Sequence, residues 1–254
     1  MKARILGCGT STGVPKIGND WGRCDPAEPR NARLRTSILI ESGGQHMLVD
    51  CGPDLRQQLL AAQCGQLDGV IVTHAHGDHC HGIDDLRPVA HILEGPVPLH
   101  ARADVLNELK QRFAYAFDQS EFYRPIVEGR AIGTSLELGD AQIRFVDQPH
   151  GSTGSLGLRF NEDRWSLGYA VDFSDLTDDM AALYEAVDVW IADCLTRSPH
   201  PTHMHLDAVL SAARDLRVGQ LYLVHMGNGL DYRSLAAELP DWAAPAHDGL
   251  EIAL

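Results

Sequence analysis

Short apolar runs separated by turn-forming residues fill the first half of the chain. They predict strands at Ala3–Leu6, Thr36–Glu41, His46–Asp50 and Gly69–Thr73. Gly43-Gly44 lies between the second and third runs and is typical of a β-hairpin turn. Helical spacing of leucines predicts helices over Asp54–Gln63 and Ala103–Phe117, whereas the polar, proline-containing stretch 16–35 predicts irregular structure.

The second half of the chain repeats this pattern, with hairpins first and strand–helix alternation after them. Helices are predicted over Met180–Ala186 and Leu206–Leu216. The strands are predicted at Leu136–Leu138, Ile143–Asp147, Ser155–Phe160, Arg164–Ala170, Val187–Asp193 and Gln220–His225. The order indicates two sheets with helices on the outside, and no repeat or linker divides the chain. We therefore expect a single domain over 1–254.

Composition narrows the classes of function. The chain has 254 residues, with 21 Lys and Arg against 35 Asp and Glu, and a formal charge of −14. This charge disfavours a long nucleic-acid partner but leaves room for a small phosphorylated substrate beside a metal ion. No apolar run reaches the roughly 20 residues of a membrane span, and Gly7 ends the first apolar run too early for a signal peptide. Six scattered cysteines without Cys-x-x-Cys are typical of reduced, structural thiols, so we expect a cytoplasmic protein.

The chemistry is concentrated in a histidine-rich segment directly after the strand predicted at Gly69–Thr73. In extended backbone, His74 and His76 point to the same side and can share one metal ion. If the chain bends at Gly77, Asp78 and His79 can reach a second ion. A lone histidine is usually unremarkable, but three histidines and an aspartate in six residues favour a metal site.

Six residues cannot fill the coordination shells of two ions, so the site needs partners from elsewhere in the chain. Three candidates follow apolar runs at predicted strand ends: His150, Asp172 and His225. Each alone could be a loop, capping or surface residue. Their shared position at the rim of a sheet indicates that they converge with the histidine-rich segment.

The ordered set resembles the metallo-β-lactamase superfamily, through Asp50 before a glycine, His74-x-His76-x-Asp78-His79, His150, Asp172 and His225. The resemblance covers essentially the whole chain and implies an α/β (α+β) fold, a four-layer αββα sandwich. It implies two divalent ions, zinc or manganese, the first held by His74, His76 and His150. The second would be held by Asp78, His79 and His225, with Asp172 bridging and Asp50 orienting the ligand loop by hydrogen bonds.

Further segments are similar to the phosphodiesterase of the carbon–phosphorus lyase pathway: 7–15, 31–37, 81–87, 199–206, 225–227 and 230–232. The resemblance implies hydrolysis of a small phosphodiester, such as a cyclic ribose or nucleotide phosphate. Members of that family carry a separate structural zinc on three cysteines and a histidine. Here only Cys24 stands in the first region, among Asn19, Trp21 and Gly22, and Asn228 occupies the histidine position. We therefore expect no separate structural zinc.

The implied mechanism uses a metal-bridging hydroxide that attacks phosphorus, while a general acid protonates the leaving alkoxide. By family position the acid is His203, with His205 as the alternative, and we assign His203 and Asp78 as catalytic. The sequence leaves the roles of five further residues open. Arg33, Arg35 and Arg87 either bind a substrate phosphate or lie at the surface, in ion pairs with Asp84 and Asp85. Asp84 and Asp85 are alternatively partners that support the metal ligands.

Three other functions compete with the phosphodiesterase hypothesis. A thioester or glyoxalase-type hydrolase of the same superfamily shares the ligands. A tRNA-maturing endonuclease needs a basic arm for structured RNA, which this sequence lacks. A non-enzymatic metal-binding protein would not need seven ligands. We expect a small-molecule phosphodiester as the partner, no membrane, and a homodimer as one open oligomeric state.

Overall fold

The computed structural model describes residues 1–121 and 123–254, which form fourteen strands and eight α-helices. The strands are β1 (Lys2–Gly7), β2 (Ser37–Ser42), β3 (Gln45–Val49), β4 (Gly69–Ile71), β5 (Val97–Ala101), β6 (Val127–Ala131), β7 (Ser135–Leu138), β8 (Ala141–Gln148), β9 (Ser155–Glu162), β10 (Trp165–Ala170), β11 (Val189–Asp193), β12 (Gln220–Val224), β13 (Ala243–Pro245) and β14 (Glu251–Ala253). The helices are α1 (Leu55–Ala62), α2 (Gly77–Cys80), α3 (Arg87–Ile92), α4 (Ala103–Arg112), α5 (Ala114–Phe117), α6 (Asp178–Tyr184), α7 (Leu206–Asp215) and α8 (Tyr232–Glu238). Short 3-10 helices cover Pro29–Asn31 and Ile83–Leu86.

Two seven-stranded mixed sheets make up the fold. The first has the order β14-β1-β2-β3-β4-β5-β6, and the second has the order β13-β12-β11-β10-β9-β8-β7. In the first sheet, β3 to β6 run parallel, and in the second, β10 to β13 run parallel. The carboxyl ends of parallel strands meet at one edge, so each sheet presents a rim to which loops can bring polar side chains.

Alternation along the strands of the first sheet divides the apolar core in two. Ile38 and Ile40 of β2 belong to the core between the sheets, together with Phe160 and Tyr169 of the second sheet. Leu39, between them in sequence, points to the other face and packs in the core that contains α1, α3 and α4. The period of two residues therefore buries both faces of the sheet. The layers confirm the predicted αββα sandwich of α/β class.

Most predicted strands and helices are present with bounds shifted by one or two residues. One prediction was wrong: the helix over 103–117 is interrupted at Phe113, where φ is −122° and ψ is 36°, and it continues as α5. The ring of Phe113 packs edge-on against His81, with centroids 5.7 Å apart, and this contact lies at the interruption of the helix. The sequence reading missed β5 and β6, whose Pro98 and Gly129 are poor strand formers.

None of the helices in the part of the chain described is long and apolar enough to cross a lipid bilayer.

Candidate metal centre

Strand ends deliver the polar residues of the site. Asp50 follows β3, Asp172 follows β10 by one residue, and His225 follows β12. All three have left-handed backbone, with φ of 64°, 53° and 57°. Non-glycine residues adopt this region rarely, and aspartate tolerates it better than most. The regular strand conformation has therefore ended at each of these residues.

A first group of donor atoms comes from His74, His76, His150 and Asp172. His74 Nε2 lies 2.9 Å from His76 Nδ1, and His150 Nε2 lies 3.4 Å from the same Nδ1. Asp172 Oδ2 is 3.4 Å from His74 Nε2 and 3.2 Å from His150 Nε2. Four donors crowded at these distances surround a common point, as a metal ion requires.

A second group comes from the short helix α2 and the end of β12. Asp78 Oδ2 lies 3.3 Å from His79 Nε2 and 3.5 Å from His225 Nε2. Gly77 begins α2, so the backbone changes from extended to helical directly after His76. This change turns Asp78 and His79 away from the point shared by His74 and His76. The structure therefore contains the bend at Gly77 on which the second ion depended.

Asp172 faces both groups, one oxygen to each. Its Oδ2 contacts the first group, whereas its Oδ1 lies 3.2 Å from His225 Nε2 and 3.5 Å from His79 Nε2. The side chain is almost fully buried. The structure thus brings all seven predicted ligands together and places Asp172 between the two triads.

Unpaired buried atoms test whether these residues fit metal ions. Asp172 Oδ1 and His79 Nε2 are buried and have no hydrogen-bond partner among the residues that the structure describes. A buried polar atom without a partner destabilises a fold by about 1–3 kcal/mol, so such atoms usually have a function. Both face the second group, and imidazole with carboxylate is a donor set that suits zinc and manganese. The residues present therefore fit two divalent cations.

Hydrogen bonds behind the donors fix their orientation. Asp50 Oδ2 accepts from His79 Nδ1 at 2.7 Å, and Asp50 Oδ1 accepts from the backbone N–H of Thr73 at 2.8 Å. The Thr202 carbonyl lies 2.8 Å from His150 Nδ1. These contacts leave the Nε2 atoms of both histidines free for the site. Asp50 has the position expected of a residue that orients the ligand loop.

The electrostatic environments of the two groups differ. Burial lowers the pKa of His76 and of His150, the latter to about 4, so both imidazoles are neutral and able to bind a metal. Burial opposes charge on His79 and His225 as well, but Asp172 and the other carboxylates around them outweigh it and raise both pKa values. The carboxylates of the second group therefore favour positive charge at this point, in the place where a cation would supply it.

His203 lies beside the second group, and Asp193 lies behind it. The ring of His203 stacks on His225 with centroids 5.0 Å apart and an interplanar angle of 11°. Its Nδ1 is 2.8 Å from Asp193 Oδ2, and Asp193 is fully buried at the end of β11. Burial lowers the pKa of His203, whereas the carboxylates of Asp172 and Asp78 oppose this shift. His205, the alternative acid, precedes α7 as its N-terminal cap and is not among the described residues that line the cavity.

Sequence reasoning missed Asp193. The same rule that indicated Asp172 and His225 applies to it, because Asp193 is the last residue of an apolar strand. Its other oxygen lies 3.7 Å from His225 Nδ1, so one carboxylate contacts both His203 and a predicted ligand.

A cavity of about 390 Å³ opens above the donors. Besides the site residues, small and hydroxyl-bearing side chains line it: Ser11, Gly151, Ser152, Thr153 and Thr202. Among the described lining residues there is no lysine or arginine. The cavity has room for a small molecule.

The charged residues that the sequence left open lie outside this lining. Arg33 is buried and donates to the carbonyls of Gly227 and Leu230, which makes it structural. Arg35 pairs with Asp54 at 2.8 Å and lies beside the site loop, donating to the Ser11 carbonyl at 3.3 Å.

Arg87 pairs with Asp84 at 3.5 Å, and Tyr115 donates to the same carboxylate. The backbone N–H of Asp85 donates to the Gly82 carbonyl.

The region of the family's structural zinc is closed by protein contacts. Cys24 Sγ lies 3.5 Å from the carbonyls of Asn228 and Leu230. Gly22 has positive φ and packs so tightly on Asn228 that a Cβ atom there would come within 2.6 Å of it. Trp21 Nε1 donates to Asn19 Oδ1 at 3.0 Å. That the chain binds no separate structural zinc stays a prediction.

Comparison with known proteins identifies the family. A family model, the beta-lactamase superfamily domain, matches residues 45–226. The chain belongs to the metallo-β-lactamase superfamily. Its similarity to a solved structure, a new diphosphatase from the PhnP family, reaches 35% identity and a TM-score of 0.90, covering 99% of this chain and 97% of that one.

Two curated relatives extend the comparison. The octanoyltransferase of Porphyromonas gingivalis is 28% identical over 99% of this chain, which spans only about half (51%) of that protein. A ribonuclease Z from a Bradyrhizobium strain is 43% identical over 60 residues, 23% of this chain and 20% of that protein. The proteins to which this chain is similar thus include a diphosphatase and a ribonuclease Z, together with an octanoyltransferase.

Proposed function

We propose that this metallo-β-lactamase superfamily protein is a dinuclear metal-dependent phosphodiesterase that acts on a small phosphodiester, such as a cyclic ribose or nucleotide phosphate. One observation carries the proposal: the two oxygens of Asp172 face two separate sets of donors, His74, His76 and His150 on one side and Asp78, His79 and His225 on the other. A two-metal site is the arrangement by which many phosphate-ester hydrolases stabilise in-line displacement.

The residues of this chain have separate tasks in such a reaction. Two divalent cations, zinc or manganese, would supply Lewis acidity that activates water and neutralises charge on the phosphoryl group. His203 lies at the cavity with Nδ1 held by Asp193, so in the doubly protonated ring Nε2 carries the proton that can pass to a leaving oxygen. Asp193 keeps the ring in one tautomer and stabilises its charged form. Asp78 is a predicted ligand and lines the same cavity.

The size and charge of the site favour a small substrate. The lining described lacks lysine and arginine, and the whole chain has a formal charge of −14. A long RNA would meet repulsion that only clustered cations overcome. Hydrolysis of a small phosphodiester is therefore favoured over tRNA maturation.

A second candidate reaction is hydrolysis of a diphosphate. It is favoured by the 35% identity to the PhnP-family protein described as a diphosphatase. Both reactions displace an oxygen from phosphorus, so the same donors and the same His203 would serve. A thioester or glyoxalase-type hydrolase would use the same metal ligands, but water would attack a carbonyl carbon instead of phosphorus.

Metal analysis combined with a substrate panel tests the proposal. We expect two ions per chain and hydrolysis of bis(p-nitrophenyl) phosphate and a cyclic ribose phosphate in preference to an acyl thioester. His74→Ala should abolish turnover, whereas His46→Ala, which alters a partly exposed histidine paired with Glu41, should leave it unchanged. Preference for the thioester, for a diphosphate or for tRNA would replace the phosphodiester assignment with that reaction. A chain that binds no cation would refute the proposal altogether.

A further inference from the structure

The corner between α4 and α5 contacts the segment that carries the predicted ligands. We call the three residues Arg112, Phe113 and Tyr115 the α4–α5 corner. Arg112 Nη1 donates to the carbonyl of Ala75, the ring of Phe113 packs against His81, and the hydroxyl of Tyr115 donates to Asp84. The α4–α5 corner therefore contacts three points between residues 75 and 84, a stretch that includes the predicted ligands His76, Asp78 and His79.

The contact of Arg112 falls between two predicted ligands. Ala75 separates His74 from His76 and is buried, with 7% of its surface exposed. Its carbonyl also accepts from Cys80 Sγ at 3.6 Å, a weak thiol donor. In the part of the chain described, no backbone N–H donates to this carbonyl. The guanidinium of Arg112 is thus its strongest partner.

Arg112 is itself held in place. Its Nη2 pairs with Glu108, one turn earlier on α4. Leu106 and Leu109 of the same helix are buried in the core on the outer face of the first sheet. The side chain of Arg112, 40% exposed, therefore extends from an anchored helix to the Ala75 carbonyl.

We propose that Arg112 is a positioning residue of the metal centre. By holding the Ala75 carbonyl, it fixes the peptide plane between Ala75 and His76. It thereby keeps His76 Nδ1 directed to the point that it shares with His74 Nε2, 2.9 Å away. Loss of this contact frees the loop to rotate and separates the two nitrogen atoms. The inference rests on the metal site of the proposed function and does not depend on which substrate that site hydrolyses.

The test measures Zn²⁺ binding by competition with a chromophoric chelator, and the melting temperature of the metal-free chain. Arg112→Met keeps the aliphatic stem and removes the guanidinium. Arg102→Met is the matched control, because Arg102 also pairs with a carboxylate, Asp147, and donates to a carbonyl, that of Gly133, away from the ligand segment.

We expect Arg112→Met to weaken Zn²⁺ binding about 10- to 100-fold, the usual effect of losing an outer hydrogen bond to a metal site. Arg102→Met should bind as the wild type does, Arg112→Lys should recover part of the loss, and the metal-free melting temperatures of all variants should agree closely.

Zn²⁺ affinity of Arg112→Met equal to that of Arg102→Met overturns the inference. So does a loss of affinity matched by a large fall in the metal-free melting temperature, because Arg112 would then only stabilise the fold. If the wild type binds two ions but cleaves no phosphodiester, the proposed function fails while the inference stands. If the wild type binds none, both fail.

Discussion

Asp193 and His203 form a pair whose action a double-mutant cycle can measure. Asp193→Asn replaces a carboxylate with an amide of the same size, and His203→Ala removes the ring. In the wild type, His203 Nδ1 lies 2.8 Å from Asp193 Oδ2. Neither variant can form the charge-assisted hydrogen bond between these two groups. If Asp193 acts only through His203, the two changes should not add in their effect on turnover.

The magnitude follows from the geometry. A hydrogen bond to a charged group contributes about 1.5–3 kcal/mol, and about 1.4 kcal/mol changes a rate tenfold. Asp193→Asn should therefore lower kcat about 10- to 100-fold. His203→Ala, which removes the proton donor, should keep both metals and lower kcat by about 10²–10⁴. The double variant should be no slower than His203→Ala alone.

The assay is steady-state hydrolysis of bis(p-nitrophenyl) phosphate, with metal content measured on the same samples. Asp188→Asn is the control, because Asp188 precedes β11 at its other end and binds Ser166. We expect it to retain wild-type kcat. The reasoning is refuted if the losses of the two single variants multiply in the double variant, or if Asp193→Asn turns over at the wild-type rate.

Three further outcomes follow from the structure. Asp172→Asn, which the left-handed backbone tolerates, should lose at least one of the two ions by metal analysis, and an unchanged metal content would contradict the bridging position. Removing metal with a chelator should lower Tm by about 5–10 °C, as expected for an ion bound at 100 times its Kd, and readdition should restore it. Burial raises the pKa of Asp248 to about 6, so the folded state holds its proton more tightly than the unfolded state does. The contribution of Asp248 to the free energy of unfolding is greatest below about pH 4. It falls by up to about 3 kcal/mol as the pH rises through 6. Urea denaturation of wild type against Asp248→Asn should show this loss, and a pH-independent difference would contradict it.

Local patterns were sufficient to predict the candidate site because its donors follow apolar strands or lie within six residues of one another. The strand-end rule located His150, Asp172 and His225, and the structure brings them to the histidine-rich segment. The same rule applies to Asp193, but its importance depends on His203 reaching back to it, and a strand pattern carries no information about that contact.

Other features depend on contacts that a periodic pattern does not contain. The break at Phe113 arises from packing against His81, more than thirty positions earlier in the sequence. Arg112 reads as an ordinary solvated cation at a helix C-terminus, and only the fold shows that it reaches Ala75. The strands β5 and β6 form because parallel neighbours supply their hydrogen bonds, which overrides the weak strand propensity of Pro98 and Gly129.

The predicted ligands are divided between the two sheets of the sandwich. His74, His76, Asp78 and His79 follow the first sheet, whose strands come mostly from the N-terminal half, while His150, Asp172 and His225 follow the second. A cation held by both sets would act as a non-covalent cross-link between the two halves of the polypeptide. Tight coordination would then require both halves to be assembled, so ion capture would be a late event in folding and a reporter of correct inter-sheet docking.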